Sequence, residues 1–168
     1  MCENNHNAIK AANKIKVIPY EERYIPDFKR LNRQWLENFG LLEEADEKKH
    51  LNTPRESIIE NGGQIFFAVE RDIVVGTCAA IRHSSKLIEI AKLAVAPFAQ
   101  KRGIGRMLTK AVTKYSIDIG AWKVFLVSST KLKPALRLYE SMGFVHASLP
   151  VQPEYASADV YMELVLLD

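Results

Sequence analysis

Apolar residues recur along the chain with two periods, one typical of strands and one typical of helices. Alternating or continuous apolar runs bounded by turn residues predict seven strands. They are Lys14–Tyr20, Gln64–Glu70, Ile73–His83, Lys86–Pro97, Trp122–Ser128, Phe144–Ser148 and Ala158–Leu167. The links Arg71–Asp72 and Ser84–Ser85 have hairpin length, so the second, third and fourth strands are predicted to form an antiparallel meander.

Apolar positions three and four residues apart predict helices over Ile25–Gly40, Ile104–Ile119 and Lys133–Gly143. Thr53–Gly63 is typical of a short capped helix, and Leu41–Asn52 of a solvated helix face or a loop. The strands on either side of the Ile104–Ile119 helix are expected to be roughly parallel, as in a βαβ unit. The pattern as a whole predicts an α+β fold.

Length and charge narrow the class of protein further. A chain of 168 residues, 48% of them hydrophobic, suits one domain, predicted over residues 14–168 after a flexible tail of residues 1–13. A net charge of +3 favours neither a nucleic-acid nor a membrane partner. Cys2 and Cys78 form no ligand pair, the four histidines show no metal spacing, and no signal-peptide or membrane-length apolar run is present. We expect a cytoplasmic protein without a metal.

The most informative local feature is the stretch from Val95 to Leu108, where an apolar strand turns into a helix across two glycines. Gly103 and Gly105 stand among Gln100 and three cationic residues. Unsatisfied amides at a helix N-terminus attract anions, and glycines let a phosphate approach the backbone closely. An alternative is a plain tight turn with ordinary surface cations. The patterns of a P-loop and of a dinucleotide-binding turn are absent.

Two motifs in this order resemble those of the GNAT superfamily of acyl-CoA-dependent N-acyltransferases. The residues from Gln100 to Gly105 resemble its Q/R-x-x-G-x-G/A signature, and Lys131–Phe144 resembles its A-x-x-L-Y-x-x-x-G-F segment. The resemblance implies a single GNAT-type domain with a mixed, mostly antiparallel twisted sheet of about six to seven strands, flanked by about four helices. It also implies that the fourth and fifth strands splay apart to form a cleft.

The same resemblance implies acetyl-CoA as the cofactor. The backbone of Leu93, Ala94 and Val95 would bind the pantetheine arm of coenzyme A. The glycine turn would hold its pyrophosphate, through Gln100, Lys101, Arg102, Gly103, Ile104, Gly105 and Arg106. Many members carry an asparagine after the fifth strand, where this chain has Ser129 and Thr130. Their hydroxyls are expected to replace only part of its contacts.

Acyl transfer to an amine needs a neutral nucleophile and a proton for the departing thiolate. Tyr139 is the candidate acid, because it occupies the family's tyrosine position; alternatively it is a core aromatic, and both roles are compatible. Glu89 is the candidate base, since it interrupts an apolar strand that leads to the cofactor-binding backbone. It could instead face solvent or pair with a cation, and many members use no dedicated base. Strand alternation predicts Glu89, Ala91, Leu93 and Val95 on one face.

The acceptor is predicted to meet Arg23, Tyr24, Glu154 and Tyr155, with the alternative that each is an ordinary loop residue. The leading hypothesis is thus an enzyme that acetylates a primary amine of a small molecule or a protein through direct attack in a ternary complex. One alternative is a catalytically silent acyl-CoA-binding sensor or interaction domain, and a less favoured one is nucleic-acid binding through the basic turn. Apolar edge strands would also permit a homodimer.

Overall fold

A seven-stranded sheet organises the computed structural model, which describes residues 14–40, 45–148 and 158–166. The strands in these ranges are β1 (Lys16–Pro19), β2 (Gln64–Glu70), β3 (Ile73–Arg82), β4 (Leu87–Val95), β5 (Lys123–Ser128), β6 (Val145–Ala147) and β7 (Val160–Val165). Their order across the sheet is β1-β2-β3-β4-β5-β7-β6. Only the β4–β5 pair is parallel within this sheet. The predicted mixed, mostly antiparallel sheet and the β2–β3–β4 meander are confirmed.

Four α-helices accompany the sheet within the described ranges: α1 (Ile25–Asn38), α2 (Ala45–Asn52), α3 (Ile104–Asp118) and α4 (Lys133–Ser141). Short 3-10 turns cover Glu22–Tyr24 and Pro97–Ala99, and a π-type turn covers Arg55–Ile59, where a capped helix was predicted. The predicted helix start at Ile104 is confirmed. The predicted tail of residues 1–13 lies outside the described residues.

Two helices cover opposite faces of the sheet, and adjacent residues of β2 show this directly. Phe67 packs against Tyr24, at the entrance to α1, with ring centroids 5.4 Å apart. Its neighbour Phe66 meets Tyr115 of α3 on the other face, at 6.2 Å. Phe67 is 0% exposed, so α1 and α3 enclose a core that runs through the middle strands.

Strands β4 and β5 pair only over a short distance. Their parallel register runs from Leu87–Lys123 to Glu89–Phe125 and ends there. Strand β4 nevertheless continues to Val95, and β5 continues to Ser128 with β7 as its antiparallel partner. The two strands therefore part after Glu89, and the predicted cleft between them is confirmed.

A β-bulge in β4 corrects the predicted alternation of its side chains. Between the pairs Ala79–Ala91 and Thr77–Ala94, β4 advances by three residues while β3 advances by two. Lys92 takes up the extra residue with φ 55°. The extra residue reverses the faces, so Leu93 lies on the α3 side, where a Cβ on Gly105 would come within 3.9 Å of Leu93 Cδ2. The prediction that Leu93 and Val95 share a face with Glu89 is wrong.

Two backbone carbonyl groups approach Gly63 so closely that any side chain there is predicted to lower the free energy of unfolding. A Cβ at Gly63 would lie 2.3 Å from the Ala80 carbonyl oxygen and 2.9 Å from that of Ile58, neither of which can rotate away. Gly63→Ala should lower the free energy of unfolding in urea by about 3 kcal/mol or more. Gly120→Ala is the control, because its Cβ would meet nothing within 4 Å. Its φ of +77° should cost only about 1–2 kcal/mol. Equal losses in the two variants would contradict this packing.

Candidate active site

The glycine turn between β4 and α3 presents backbone amides to one open point. Lys101 and Gly103 both adopt the left-handed conformation, with φ of 62° and 77°, and Gly103 is the N-cap of α3. Glycine has no side chain with which to cap the first-turn amides, so they remain available to a ligand. A Cβ at Gly103 would meet nothing within 4 Å. The turn therefore combines an uncapped helix N-terminus with open space, as an anion site requires.

The two arginine side chains of the turn have protein partners. Arg102 donates two hydrogen bonds to the Glu70 carboxylate, at 2.9 and 2.7 Å, which ties the turn to the end of β2. This pairing lowers the pKa of Glu70 and raises that of Arg102. Arg106 donates to Ser141 Oγ at 2.6 Å, which links the start of α3 to the end of α4. Gln100 Nε2 donates to the Val95 carbonyl at 3.4 Å. The predicted phosphate contacts of these side chains stay predictions.

The backbone of β4 next to the turn divides into two sets of amides. The Ala96 amide donates to the Val75 carbonyl at 2.8 Å, so Ala94 and Ala96 occupy the positions that bond to β3. The amide groups of Leu93 and Val95 then point the other way, into the gap left by β5. Of the three residues predicted to bind through their backbone, Leu93 and Val95 have the required direction and Ala94 does not.

Tyr139 of α4 is a buried residue near Cys78 of β3. Only 7% of it is exposed, and its ring packs on Phe144 with centroids 5.7 Å apart. Burial, with a smaller contribution from Cys78, raises the pKa of the Tyr139 phenol above its usual range. Cys78 itself lies beside the bulge, with Sγ 3.5 Å from the Ala91 carbonyl. The phenol is therefore protonated at neutral pH, as a proton donor must be.

Glu89 is buried at the point where β4 and β5 part. It is 6% exposed and belongs to the last pair of the parallel register, opposite Phe125. Its Oε2 lies 2.6 Å from Nε2 of His83. The alternative that Glu89 faces solvent is wrong. Its partner is a histidine, which is a cation only when protonated, so the alternative that Glu89 pairs with a neighbouring cation stays a prediction.

Sequence reasoning placed His83 at a strand end that could border the cleft but gave it no catalytic role, although the hairpin register contained the signal. Arg82 pairs with Ile88, so His83 stands opposite Leu87 and diagonal to Glu89 on the same face. Sequence reasoning also missed an aromatic group beside this pair. The His83 ring lies 5.1 Å from Phe125, which stacks on Tyr161 of β7 at 5.5 Å.

Ser129 and Thr130, which follow β5, form hydrogen bonds within the protein. Thr130 donates to both carboxylate oxygens of Asp159, from its amide and its hydroxyl, each at 2.8 Å. These bonds lower the pKa of Asp159. Ser129 Oγ accepts the Lys131 amide at 3.2 Å. The structure thus directs Thr130 to β7, and any contact of either hydroxyl with a cofactor stays a prediction.

Two of the four predicted acceptor residues lie within the described ranges. Arg23 is exposed, forms an ion pair with Glu21 at 2.6 Å, and lies over the Tyr24 ring, 4.6 Å from its centroid. Tyr24 is 7% exposed and lies in the core against Phe67 instead of on an open wall. Glu154 and Tyr155 lie outside the described residues.

The described residues hold neither a cluster of metal ligands nor a membrane-spanning helix. Across residues 14–40, 45–148 and 158–166, no three His, Cys, Asp or Glu side chains are grouped as metal ligands would be. In those same ranges no helix has the length and apolar content needed to cross a membrane.

Comparison with known proteins agrees with this geometry. The sequence model of the Acetyltransferase (GNAT) family matches residues 25–144, so the chain belongs to that family. It is 36% identical over 86 residues to a mycothiol acetyltransferase of Thermomonospora curvata, which covers 51% of this chain but only 29% of that protein.

Two solved structures show the same fold. A GNAT-family acetyltransferase from Staphylococcus aureus Mu50 superposes with a TM-score of 0.81 at 20% identity, covering 92% of this chain and 100% of the other. Spermidine N-acetyltransferase from Vibrio cholerae, solved in complex with CoA and spermine, superposes with a TM-score of 0.70 at 21% identity. The match covers 90% of this chain and 95% of the other.

The tether between Arg102 and Glu70 predicts the dynamics of the glycine turn. Glu70→Gln removes the charge and one acceptor, so the amides of residues 101–106 should exchange with deuterium severalfold faster than in the wild type. Glu60→Gln is the matched control, because Glu60 pairs with Arg55 away from the turn, at 3.4 Å. Unchanged exchange in Glu70→Gln, measured by mass spectrometry, would mean that the ion pair does not restrain the turn.

Proposed function

We propose that the protein is an N-acetyltransferase that transfers the acetyl group of acetyl-CoA to a primary amine. The observation that carries this proposal is the gap between β4 and β5. It begins at Glu89 and Phe125 and leads along β4 to the uncapped N-terminus of α3. Family membership and the CoA complex of the Vibrio cholerae relative support the choice of cofactor.

The cofactor is proposed to lie along β4. Its pyrophosphate would accept hydrogen bonds from the first-turn amides of α3, where the helix dipole also favours negative charge. Its pantetheine amides would bond to the backbone of Leu93 and Val95, in place of the missing β5 partner. This places the thioester toward the point where the strands part, between Tyr139 and Glu89.

The reaction then needs a base for the ammonium proton and an acid for the departing thiolate. Glu89 takes a proton from the ammonium form of the acceptor, and the neutral nitrogen attacks the thioester carbonyl carbon. The new N–C bond forms, the C–S bond breaks, and the thiolate takes the proton of the Tyr139 phenol. The second proton that the nitrogen must lose returns to the Tyr139 phenolate, which restores the acid. Positioned acids and bases of this kind contribute roughly 10²–10⁴-fold to rate. An amine acceptor is in keeping with the spermidine N-acetyltransferase among the structural relatives.

The proposal includes a cytoplasmic setting without a nucleic-acid partner. Cys78 is a buried free thiol, in keeping with a reducing compartment. The net charge of +3 is too small to attract a polyanion by itself. Assembly into a homodimer stays a prediction.

Substitution of Gly103 tests the cofactor site. Gly103→Asp should weaken acetyl-CoA binding by about tenfold or more in calorimetric titration, because it places a carboxylate beside the pyrophosphate. Gly103→Asn has nearly the same shape and tolerates the left-handed backbone, so it should lose much less affinity.

A second control shows whether a loss of affinity comes from the position of the new carboxylate or from the left-handed backbone at the substituted residue. Gly120→Asp introduces the same residue at the same φ of 77°, but at the other end of α3, and should bind like the wild type. Failure of folded wild-type protein to bind acetyl-CoA would refute the proposed function. Binding without CoA release with any amine would favour a catalytically silent acyl-CoA-binding domain.

Removal of the Tyr139 hydroxyl tests the acid. Tyr139→Phe should lower kcat by about 10²-fold or more with little change in acetyl-CoA affinity. Because burial raises the pKa of Tyr139, the phenol should stay protonated between pH 7 and about 10, and its ionisation should not lower the wild-type rate in that range. Tyr115→Phe is the matched control, since that hydroxyl bonds to the Gly62 carbonyl away from the gap, at 2.9 Å. Equal rates in the two variants, measured by CoA release, would exclude Tyr139 as the acid.

A further inference from the structure

The pair formed by Glu89 and His83 joins a buried carboxylate to the protein surface. Glu89 is 6% exposed, whereas the side chain of His83 is 36% exposed. The distance of 2.6 Å between Oε2 and Nε2 is that of a strong, charge-assisted hydrogen bond. A buried carboxylate needs such a donor to stay ionised, because burying an unpaired charge is costly.

The imidazole is held in place from two directions. The β3–β4 hairpin sets its backbone, since the His83 amide donates to the Leu87 carbonyl at 3.0 Å. The Phe125 ring packs against the imidazole from β5, and Tyr161 stacks on Phe125. His83 therefore reaches Glu89 from a fixed position.

Two lysines of the β3–β4 hairpin and β5 have other partners. Lys86 donates to the Gly120 carbonyl and lies over the Trp122 ring. Lys123 pairs with Glu163 at 2.9 Å. The side-chain partner described for Glu89 is His83.

We propose that His83 is a positioning residue for Glu89 in the N-acetyl transfer, an inference that rests on the proposed function. The Nε2–H group donates to Oε2, stabilises the ionised carboxylate and turns its second oxygen, Oε1, toward the acceptor amine. Oε1 accepts one proton of the acceptor ammonium group, the neutral nitrogen forms its bond to the carbonyl carbon, the C–S bond breaks, and the thiolate leaves with the Tyr139 proton. The second proton that the nitrogen must lose returns to the Tyr139 phenolate. Glu89 later releases its proton to water, while His83 keeps its own proton throughout.

The first test needs no acceptor. Long-range ¹H–¹⁵N NMR spectra of the histidine rings should show His83 with its proton on Nε2, and Glu89→Gln should shift those ring signals. His83→Gln identifies the signals by their loss. His146 is an internal control, because it pairs with the exposed Glu140 at 2.7 Å and should not respond to Glu89→Gln. A His83 ring unaffected by Glu89→Gln would overturn the pair.

The second test is kinetic and uses acetyl-CoA with spermidine, 2-phenylethylamine and glycylglycine as acceptor probes. His83→Ala should lower kcat about tenfold or more and leave the KM for acetyl-CoA within about twofold. His83→Gln retains an N–H donor and should keep more activity than His83→Ala, and added imidazole should restore part of the loss. His146→Ala should match the wild type.

A double mutant separates positioning from a merely structural role. If His83 acts through Glu89, His83→Ala should cause no further loss in a Glu89→Gln background. An additive loss, or His83→Ala with wild-type kcat, would overturn the proposal while leaving the acetyltransferase function intact. Failure of the wild-type protein to bind acetyl-CoA would instead refute the proposed function. If His83→Ala does not fold, His83→Gln and the NMR spectra still decide the question.

Discussion

The interruption of hydrogen bonding between β4 and β5 is the constraint on which the rest of the site depends. A parallel pair that continued past Glu89 and Phe125 would bond the Leu93 and Val95 amides to protein and leave nothing for a ligand. The bulge at Lys92 acts in the same region, because it turns Leu93 toward α3 and keeps Ala94 paired with β3. The Leu93 and Val95 amides, which a continuous sheet would hydrogen-bond, are thereby left available to an extended ligand that contains amide groups.

Side-chain contacts hold the loops around this gap at fixed positions. Arg102 ties the glycine turn to β2, Arg106 ties α3 to α4, and Thr130 ties the end of β5 to β7. Each contact joins residues far apart in sequence, so the gap is bordered by segments that tertiary structure restrains. A site that must place a thioester between an acid and a base requires such restraint, because small displacements of reacting groups cost much of the rate.

The proposed acid and base sit in different surroundings. Tyr139 lies among apolar groups on the α3 side, where burial keeps the phenol neutral. Glu89 lies at the parting point, where its Oε2 is 2.6 Å from Nε2 of His83. The proposed acid is thus enclosed by apolar groups, whereas the proposed base has a polar side chain beside it.

The sequence by itself determined the strands and helices, the meander and the glycine turn, because apolar periodicity and turn residues are local properties. Glu89, Tyr139 and the turn could be singled out from residue type and motif order. The face reversal at Lys92, the core position of Tyr24, the partners of Arg102 and Thr130, and the His83–Glu89 pair were decided only by tertiary structure. These depend on strand register and on contacts between distant segments, and a shift of one residue in register moves every later side chain to the other face.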